Sequence, residues 1–365
     1  MRVLIAAGGT GGHLFPGIAL AEEFKRRGPK DICVFVGTKG QIESRVVPRE
    51  GFDLKIIDVK GLRGKSFKDK VWNLFLMIKG IYQSIRIVRE YKPDLVVGMG
   101  GYTSAPLIFA VLLTGVKTVI CEQNTIPGIT NRVLARFVDR VFISFPKTKY
   151  LSSMKKTRFT GNPVRKMLLD GFIEDNAACG KFTLLVLGGS QGAHSMNEKM
   201  LDALDYLLPM KDSIKIIHQT GETDYDWVCE VYAEKKFNSE TAKFIDDMAR
   251  AYRDADFVVC RAGATTISEL TVCGKASMLV PYPFAANNHQ EINARVLSER
   301  GAACMVLNGD LNGRYLAEKI TSIAADPTSR SMMEQVAYRL GKPHASKDIV
   351  DSCYELMRMD TSGRP

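Results

Sequence analysis

The sequence predicts an α/β protein built from two Rossmann-like, doubly wound parallel-sheet domains. Three observations carry that expectation. Short apolar runs alternate with segments of helical periodicity along nearly all 365 residues. The chain is too long for one ordinary core and suits two α/β domains. And apolar strands run repeatedly into glycine-rich turns that open helices: Gly8-Gly9-Thr10-Gly11-Gly12-His13, Gly100-Gly101-Tyr102-Thr103-Ser104, and Gly188-Gly189-Ser190-Gln191-Gly192. Such turns point backbone N–H groups and the positive end of a helix dipole at one spot, a seat for phosphate. Two of them in the first half and one opening the second suggest two halves facing each other across a cleft.

In the first half, strands are expected at 1–7, 32–36, 54–57, 95–98, 118–121 and 140–143, with helices at 16–27, 42–50, 71–91, 105–113 and 129–137. Residues 145–162 lose apolar periodicity, hold four lysines and read as a linker ending at Gly161-Asn162-Pro163. In the second half, strands are expected at 182–187, 214–219, 242–245, 257–260, 277–280 and 303–306. Helices fit 196–208, 225–235, 247–253, 265–273, 288–299 and 313–326, and a last one 347–358. The domains are placed at 1–160 and 161–340, with the helix 345–358 packing back on the first.

Composition is that of a soluble globular protein, 45% hydrophobic and 25% charged. An excess of 50 Lys and Arg over 40 Asp and Glu favours acidic partners: nucleic acid, a phosphorylated substrate or an anionic membrane. The eight cysteines are scattered without a C-x-x-C pair, which favours buried thiols over a metal site. The chain begins directly with strand residues, has no signal peptide and no apolar run of spanning length, so a cytoplasmic setting is expected.

GGTGGHLFPGIALA, GMGGYTSAP, EQNTIPGITNR, TGNPVR, LGGSQGA, HQTGE, FIDDMARAYRDADFVVCRAGATTISEL and PYPFAANNHQEINA occur in this order across nearly the whole chain. Together they resemble the MurG family of bacterial peptidoglycan glycosyltransferases (glycosyltransferase family 28). The resemblance implies a GT-B fold and inverting transfer of N-acetylglucosamine from UDP-N-acetylglucosamine to lipid I, the undecaprenyl-linked muramyl-pentapeptide, giving lipid II. It also implies a peripheral enzyme on the cytoplasmic face of the plasma membrane, working beside other cell-wall synthesis proteins of cell shape and division. No nucleic acid and no obligatory cofactor or metal are expected; Asp224-Tyr225-Asp226 is the nearest D-x-D pair and belongs to no matching motif.

The resemblance also implies roles for residues. On the donor side, Ser190 and its neighbouring N–H groups take phosphate, and Arg165 offers a guanidinium to the pyrophosphate, where the residue pattern alone reads a solvated arginine. Glu269, in the turn Gly263-Ala264-Thr265-Thr266-Ile267-Ser268-Glu269, accepts ribose hydroxyls, against the plainer reading of a helix cap. Ile245 holds uracil through its backbone, and Gln290, with Asn293, hydrogen-bonds the sugar. In the first domain, Thr10, Gly11 and Gly12 approach the donor sugar or the acceptor phosphates, Asn124 reaches into the cleft, all four are expected to bind UDP-N-acetylglucosamine, and Tyr102 positions the acceptor. His13 is the candidate base, or else caps its helix or binds phosphate as a donor; Glu122 and Asp94 are weaker candidates. Trp72 and Phe75 with Lys68 and Lys70 suit an interfacial helix on anionic lipid, or a core helix with a basic edge. The rivals are another GT-B enzyme (a lipid glycosyltransferase or a UDP-N-acetylglucosamine epimerase) and a nicotinamide-dependent dehydrogenase. The first loop puts leucine where the dinucleotide fingerprint needs its last glycine.

Overall fold

The computed structural model describes residues 1–60, 67–149, 151, 155–170, 180–189 and 191–361, with backbone alone at 67–72, 74, 360 and 361. The chain divides into two compact units, residues 1–165 with 343–365, and residues 166–342. The first unit contains β1 (Arg2–Ala6), α1 (Gly11–Arg27), β2 (Ile32–Gly37), α2 (Ile42–Arg49), β3 (Asp53–Ile56), α3 (Phe67–Tyr91), β4 (Leu95–Gly98), α4 (Gly101–Val111), β5 (Lys117–Glu122), α5 (Ile129–Leu134), β6 (Arg140–Ile143) and β7 (Thr157–Phe159). Its seven strands lie in the order β3-β2-β1-β4-β5-β6-β7, and every pair is parallel.

Strand alternation builds two cores, one on each face of this sheet. Val3 and Ile5 of β1 pack with Leu14, Ile18 and Phe24 of α1 and with Ile349, Val350 and Cys353 of the C-terminal helix Ala345–Thr361. Leu4 and Ala6 pack on the other face with Ile87 and Val88 of α3, Leu107 and Ile108 of α4, and Leu134 of α5.

The second unit runs through α6 (Lys166–Asp170), β8 (Phe182–Leu187), α7 (His194–Ala203), β9 (Ile214–Gln219), α8 (Tyr225–Glu234), β10 (Ser239–Ala242), α9 (Met248–Asp254), β11 (Phe257–Cys260), α10 (Ala264–Val272), β12 (Ser277–Leu279), α11 (His289–Ser298), β13 (Cys304–Met305), α12 (Gly313–Ala325) and α13 (Pro327–Leu340). Its sheet, again all parallel, has the order β10-β9-β8-β11-β12-β13. In both units the order reverses between neighbouring strands, β1 and β4 in one and β8 and β11 in the other. The carboxyl ends of those strands form the switch point where doubly wound sheets bind ligands.

Several element expectations need correction. Helices α1 and α4 begin at Gly11 and Gly101, well before 16 and 105, with Pro16 and Pro106 inside them. His13 and Tyr102 therefore sit in first helical turns. The helix expected at 196–208 is α7 followed by tighter turns, in which the N–H groups of Leu204 and Tyr206 bond to Leu201 and Ala203 three residues back while Leu204 and Leu207 stay buried and keep the apolar spacing. The strand expected at 242–245 ends at Ala242. Within the expected linker, β7 pairs with β6; its mostly exposed edge position carries no apolar pattern to read. Helix α13 is not anticipated at all, since only Ala337 of it is buried. No helix among the described residues is long and apolar enough to cross a membrane.

Candidate functional site

At the switch point of the first unit, the turns after β1 and β4 lie against each other. Gly100 and Gly101 have φ of 94° and 72°, and a Cβ on either would lie 3.2–3.3 Å from the His13 ring. Side chains there are strained by backbone and space alike, so the glycines let the imidazole settle on the second turn. His13 Nδ1 lies 3.2 Å from Thr10 Oγ1, whose residue is the N-cap of α1. Gly11 is buried and Gly12 exposed. Tyr102 covers the first turn: a Cβ on Gly9, at φ 91°, would fall 2.8 Å from its hydroxyl. Burial pushes the Tyr102 phenol above its ordinary range, against a hydrogen bond with Thr38 that lowers it.

The loop after β5 is organised by Glu122, a buried carboxylate. Its Oε1 accepts from the N–H of Asn124 (2.9 Å), and its Oε2 from Asn131 Nδ2 (2.9 Å) and the N–H of Gly128 (3.2 Å). Burial raises its pKa, while these donors pull it back. Donors crowd both oxygens, so Glu122 shapes the loop that carries Asn124. Arg165 belongs to this unit, with its guanidinium 4.4 Å above the Phe15 ring of α1, two residues beyond His13.

The second unit repeats the plan. After β8, Gly188 turns so tightly that a Cβ would meet the Ala193 nitrogen at 2.4 Å. Ser190 lies outside the described residues. After β11, Gly263 is the N-cap of α10, and the first N–H to bond within that helix is that of Ile267, to Gly263 at 2.9 Å. Ala264, Thr265 and Thr266 thus form the first turn of α10, at the positive end of the helix dipole. Ser268 Oγ donates back to the Ala264 carbonyl. Glu269 lies beyond the first turn, so the helix-cap reading fails; it is buried, and its Oε2 accepts from the Tyr252 hydroxyl at 3.1 Å.

Ile245 donates its N–H to Gln219 Oε1 at 2.8 Å, which leaves its carbonyl as its backbone acceptor. Gln290 Oε1 accepts from the N–H of Tyr282 (2.9 Å), so its Nε2 is the group left for a ligand. Asn293 is fully buried. In α3, Phe75, Ile78 and Tyr82 are 56%, 61% and 63% exposed on one face. The side chains of Trp72, Lys68 and Lys70 lie outside the described residues.

Glycine turns follow both switch-point strands of each unit, and comparison with known proteins agrees with that plan. The N-terminal domain model of glycosyltransferase family 28 matches residues 3–143, and the C-terminal domain model matches residues 183–351. The chain belongs to glycosyltransferase family 28. Among family 28 relatives is the UDP-N-acetylglucosamine–N-acetylmuramyl-(pentapeptide) pyrophosphoryl-undecaprenol N-acetylglucosamine transferase of Myxococcus xanthus, 48% identical over 98% of this chain and 93% of its own. The transferase of the same name from Thermodesulfovibrio yellowstonii is 46% identical, covering 98% and 99%. Among solved structures, MurG of Acinetobacter baumannii superposes with a TM-score of 0.75 at 28% identity, covering 97% and 99%. A UDP-N-acetylglucosamine 2-epimerase described from Listeria monocytogenes shares the fold at 12% identity, with a TM-score of 0.72.

Three buried polar residues around this candidate site escape a reading by motif. Glu43 is fully buried; its carboxylate accepts from the N–H and hydroxyl of Thr38 (both 2.9 Å) and from the N–H of Gly9 (3.1 Å), pinning the first glycine turn. Its signal is a charge at the helical phase of Val46 and Val47. Tyr252 and Gln219 lie inside quoted motifs, yet nothing in those motifs marks them as partners of Glu269 and Ile245.

Proposed function

We propose that this chain transfers N-acetylglucosamine from UDP-N-acetylglucosamine to the muramyl 4-hydroxyl of lipid I, giving lipid II and UDP in peptidoglycan synthesis. The observation that carries this reading is the near-full-length likeness to transferases whose names state that donor and acceptor. The likeness to epimerases is one of fold and supplies no competing chemistry.

In this reading the second unit binds the donor. The turn around Ser190 and the first turn of α10, at Ala264, Thr265, Thr266, Ile267 and Ser268, receive the diphosphate, with Arg165 adding charge. Glu269, steadied by Tyr252, takes the ribose hydroxyls; the Ile245 carbonyl takes the uracil N3–H; Gln290 Nε2 takes a sugar hydroxyl. In the first unit, Thr10, Gly11, Gly12 and Asn124 meet the donor sugar or the acceptor phosphates, and Tyr102 positions the acceptor. His13 accepts the proton of the muramyl hydroxyl as that oxygen bonds to the anomeric carbon from the face opposite UDP. The bond to the β-phosphate oxygen breaks, and its electron pair leaves with UDP, whose charge the N–H groups and Arg165 stabilise.

The acceptor's polyprenyl chain stays in the bilayer, so the enzyme works as a peripheral protein at the cytoplasmic membrane surface, near other cell-wall synthesis proteins. The face of α3 that exposes Phe75, Ile78 and Tyr82 is the proposed contact, with Trp72, Lys68 and Lys70 on the same helix. Donor choice tests the reaction. With extracted polyprenyl acceptor, UDP release is expected from UDP-N-acetylglucosamine far above UDP-glucose, and only when acceptor is present. Acceptor-independent conversion to the C2 epimer would contradict it.

A further inference from the structure

Gln219 ends β9, is buried, and uses both ends of its side-chain amide. Its Oε1 accepts from the N–H of Ile245 and its Nε2 donates to the carbonyl of Gly189, each at 2.8 Å. The partners fix the orientation of the amide, because an N–H can only donate and a carbonyl only accept. Gly189 lies in the turn after β8 and Ile245 beyond β10, and β9 runs between those two strands. One side chain therefore ties together the carboxyl ends of three neighbouring strands.

Backbone contact reinforces the junction on the side of the phosphate turn. A Cβ on Gly192 would lie 2.1 Å from the Thr220 carbonyl oxygen, and one on Gly221 would lie 2.4 Å from that of Gln191. Both glycines have positive φ, 79° and 84°. Asn197 of α7 donates to the Thr220 carbonyl at 2.9 Å. The phosphate turn thus rests on residues 220 and 221, and the Gln219 amide extends that support to Ile245.

We propose that Gln219 is a positioning residue for the donor nucleotide, holding the turn that takes the diphosphate at a set distance from the backbone that takes the uracil. This rests on the reading of the second unit as a UDP-sugar site. By occupying the Ile245 N–H, Gln219 also leaves a carbonyl as what Ile245 presents to the base. That suits the N3–H of uracil and opposes the N3 lone pair of cytosine. Neither bond reaches a reacting atom, so the effect belongs in nucleotide affinity.

The test compares UDP with uridine, which lacks the diphosphate, by titration of the full chain and of Q219E and Q219M, each checked for folding by its thermal melt. In its ionised form the carboxyl that Q219E introduces still accepts from Ile245 but cannot donate to Gly189; burial favours the neutral acid, so the titrations are run from neutral to alkaline pH and the comparison is made where the carboxyl is ionised. Q219E is therefore expected to weaken UDP roughly ten- to hundredfold while changing uridine less than about threefold. Q219M removes both ties and is expected to weaken both ligands. Equal change in the two ligands with Q219E, or no change, overturns the role. If Q219E does not fold, Q219M decides alone, and unchanged uridine affinity overturns it. A parent protein that binds neither UDP nor uridine overturns the donor-site reading itself, and the role of Gln219 with it.

Discussion

Replacing His13 with alanine removes an imidazole held by Thr10 Oγ1 and seated on Gly100 and Gly101. The variant is expected to lose roughly 10²–10⁴-fold in kcat, the range of a lost general base, with UDP affinity retained. Steady-state kinetics checks this; a loss confined to the acceptor KM assigns His13 to phosphate recognition. Glu269→Ala is expected to weaken UDP by about 1–3 kcal/mol if Glu269 takes the ribose hydroxyls as proposed, since they and the Tyr252 hydroxyl would both lose an acceptor. Calorimetry at unchanged affinity would reduce Glu269 to a buried partner of Tyr252. The glycine turns were legible at this scale because glycine has a local meaning. Glu43, Gln219 and Tyr252 were not, because a buried polar side chain is explained by a partner distant in sequence: Gly9 for Glu43, Gly189 for Gln219.

At the scale of elements, β9, α7 and α8 share a buried polar chain. His218 Nε2 lies 3.1 Å from Asn197 Oδ1 and its Nδ1 2.9 Å from the Tyr232 hydroxyl, and Asn197 Nδ2 donates to Asp224 Oδ2 at 2.8 Å. Burial pushes the His218 pKa down to about 3, against a pull upward from Asp224. The folded chain therefore refuses a proton that the unfolded chain binds near pH 6.5. This contribution is complete above pH 6.5 and is lost as pH falls toward 3, by up to about 1.4 kcal/mol per unit. Urea denaturation at pH 7 and pH 5 should show a smaller acid loss in H218Q than in the parent; an equal loss would place the acid sensitivity elsewhere. Helix α3 buries Leu76, Ile87 and Val88 yet exposes Phe75, Ile78 and Tyr82. Serine at those three exposed positions should weaken binding to anionic vesicles and slow turnover on a long-chain acceptor, leaving a soluble short-chain acceptor almost unaffected. Equal losses on both acceptors would assign that face to another task.

At the scale of the whole molecule, the alternation of strands and helices was legible because buried parallel strands are apolar on both faces. What escaped was structure whose stability does not come from an apolar pattern. Asp326 closes α12 and caps α13, its Oδ1 accepting from the N–H of Ser329 at 3.0 Å, with Pro327 opening the helix. Read only as the end of one helix, it hid the start of the next. Two switch points, each flanked by glycine turns, are what the transferase reading asks of the fold. Its most direct test is to incubate the purified chain with UDP-N-acetylglucosamine and defined lipid I and weigh the lipid product. The account predicts lipid I heavier by one N-acetylhexosamine, β-linked to the muramyl 4-hydroxyl, with one UDP released for each product formed. Unchanged lipid I, or a sugar attached elsewhere than the muramyl residue, would contradict it.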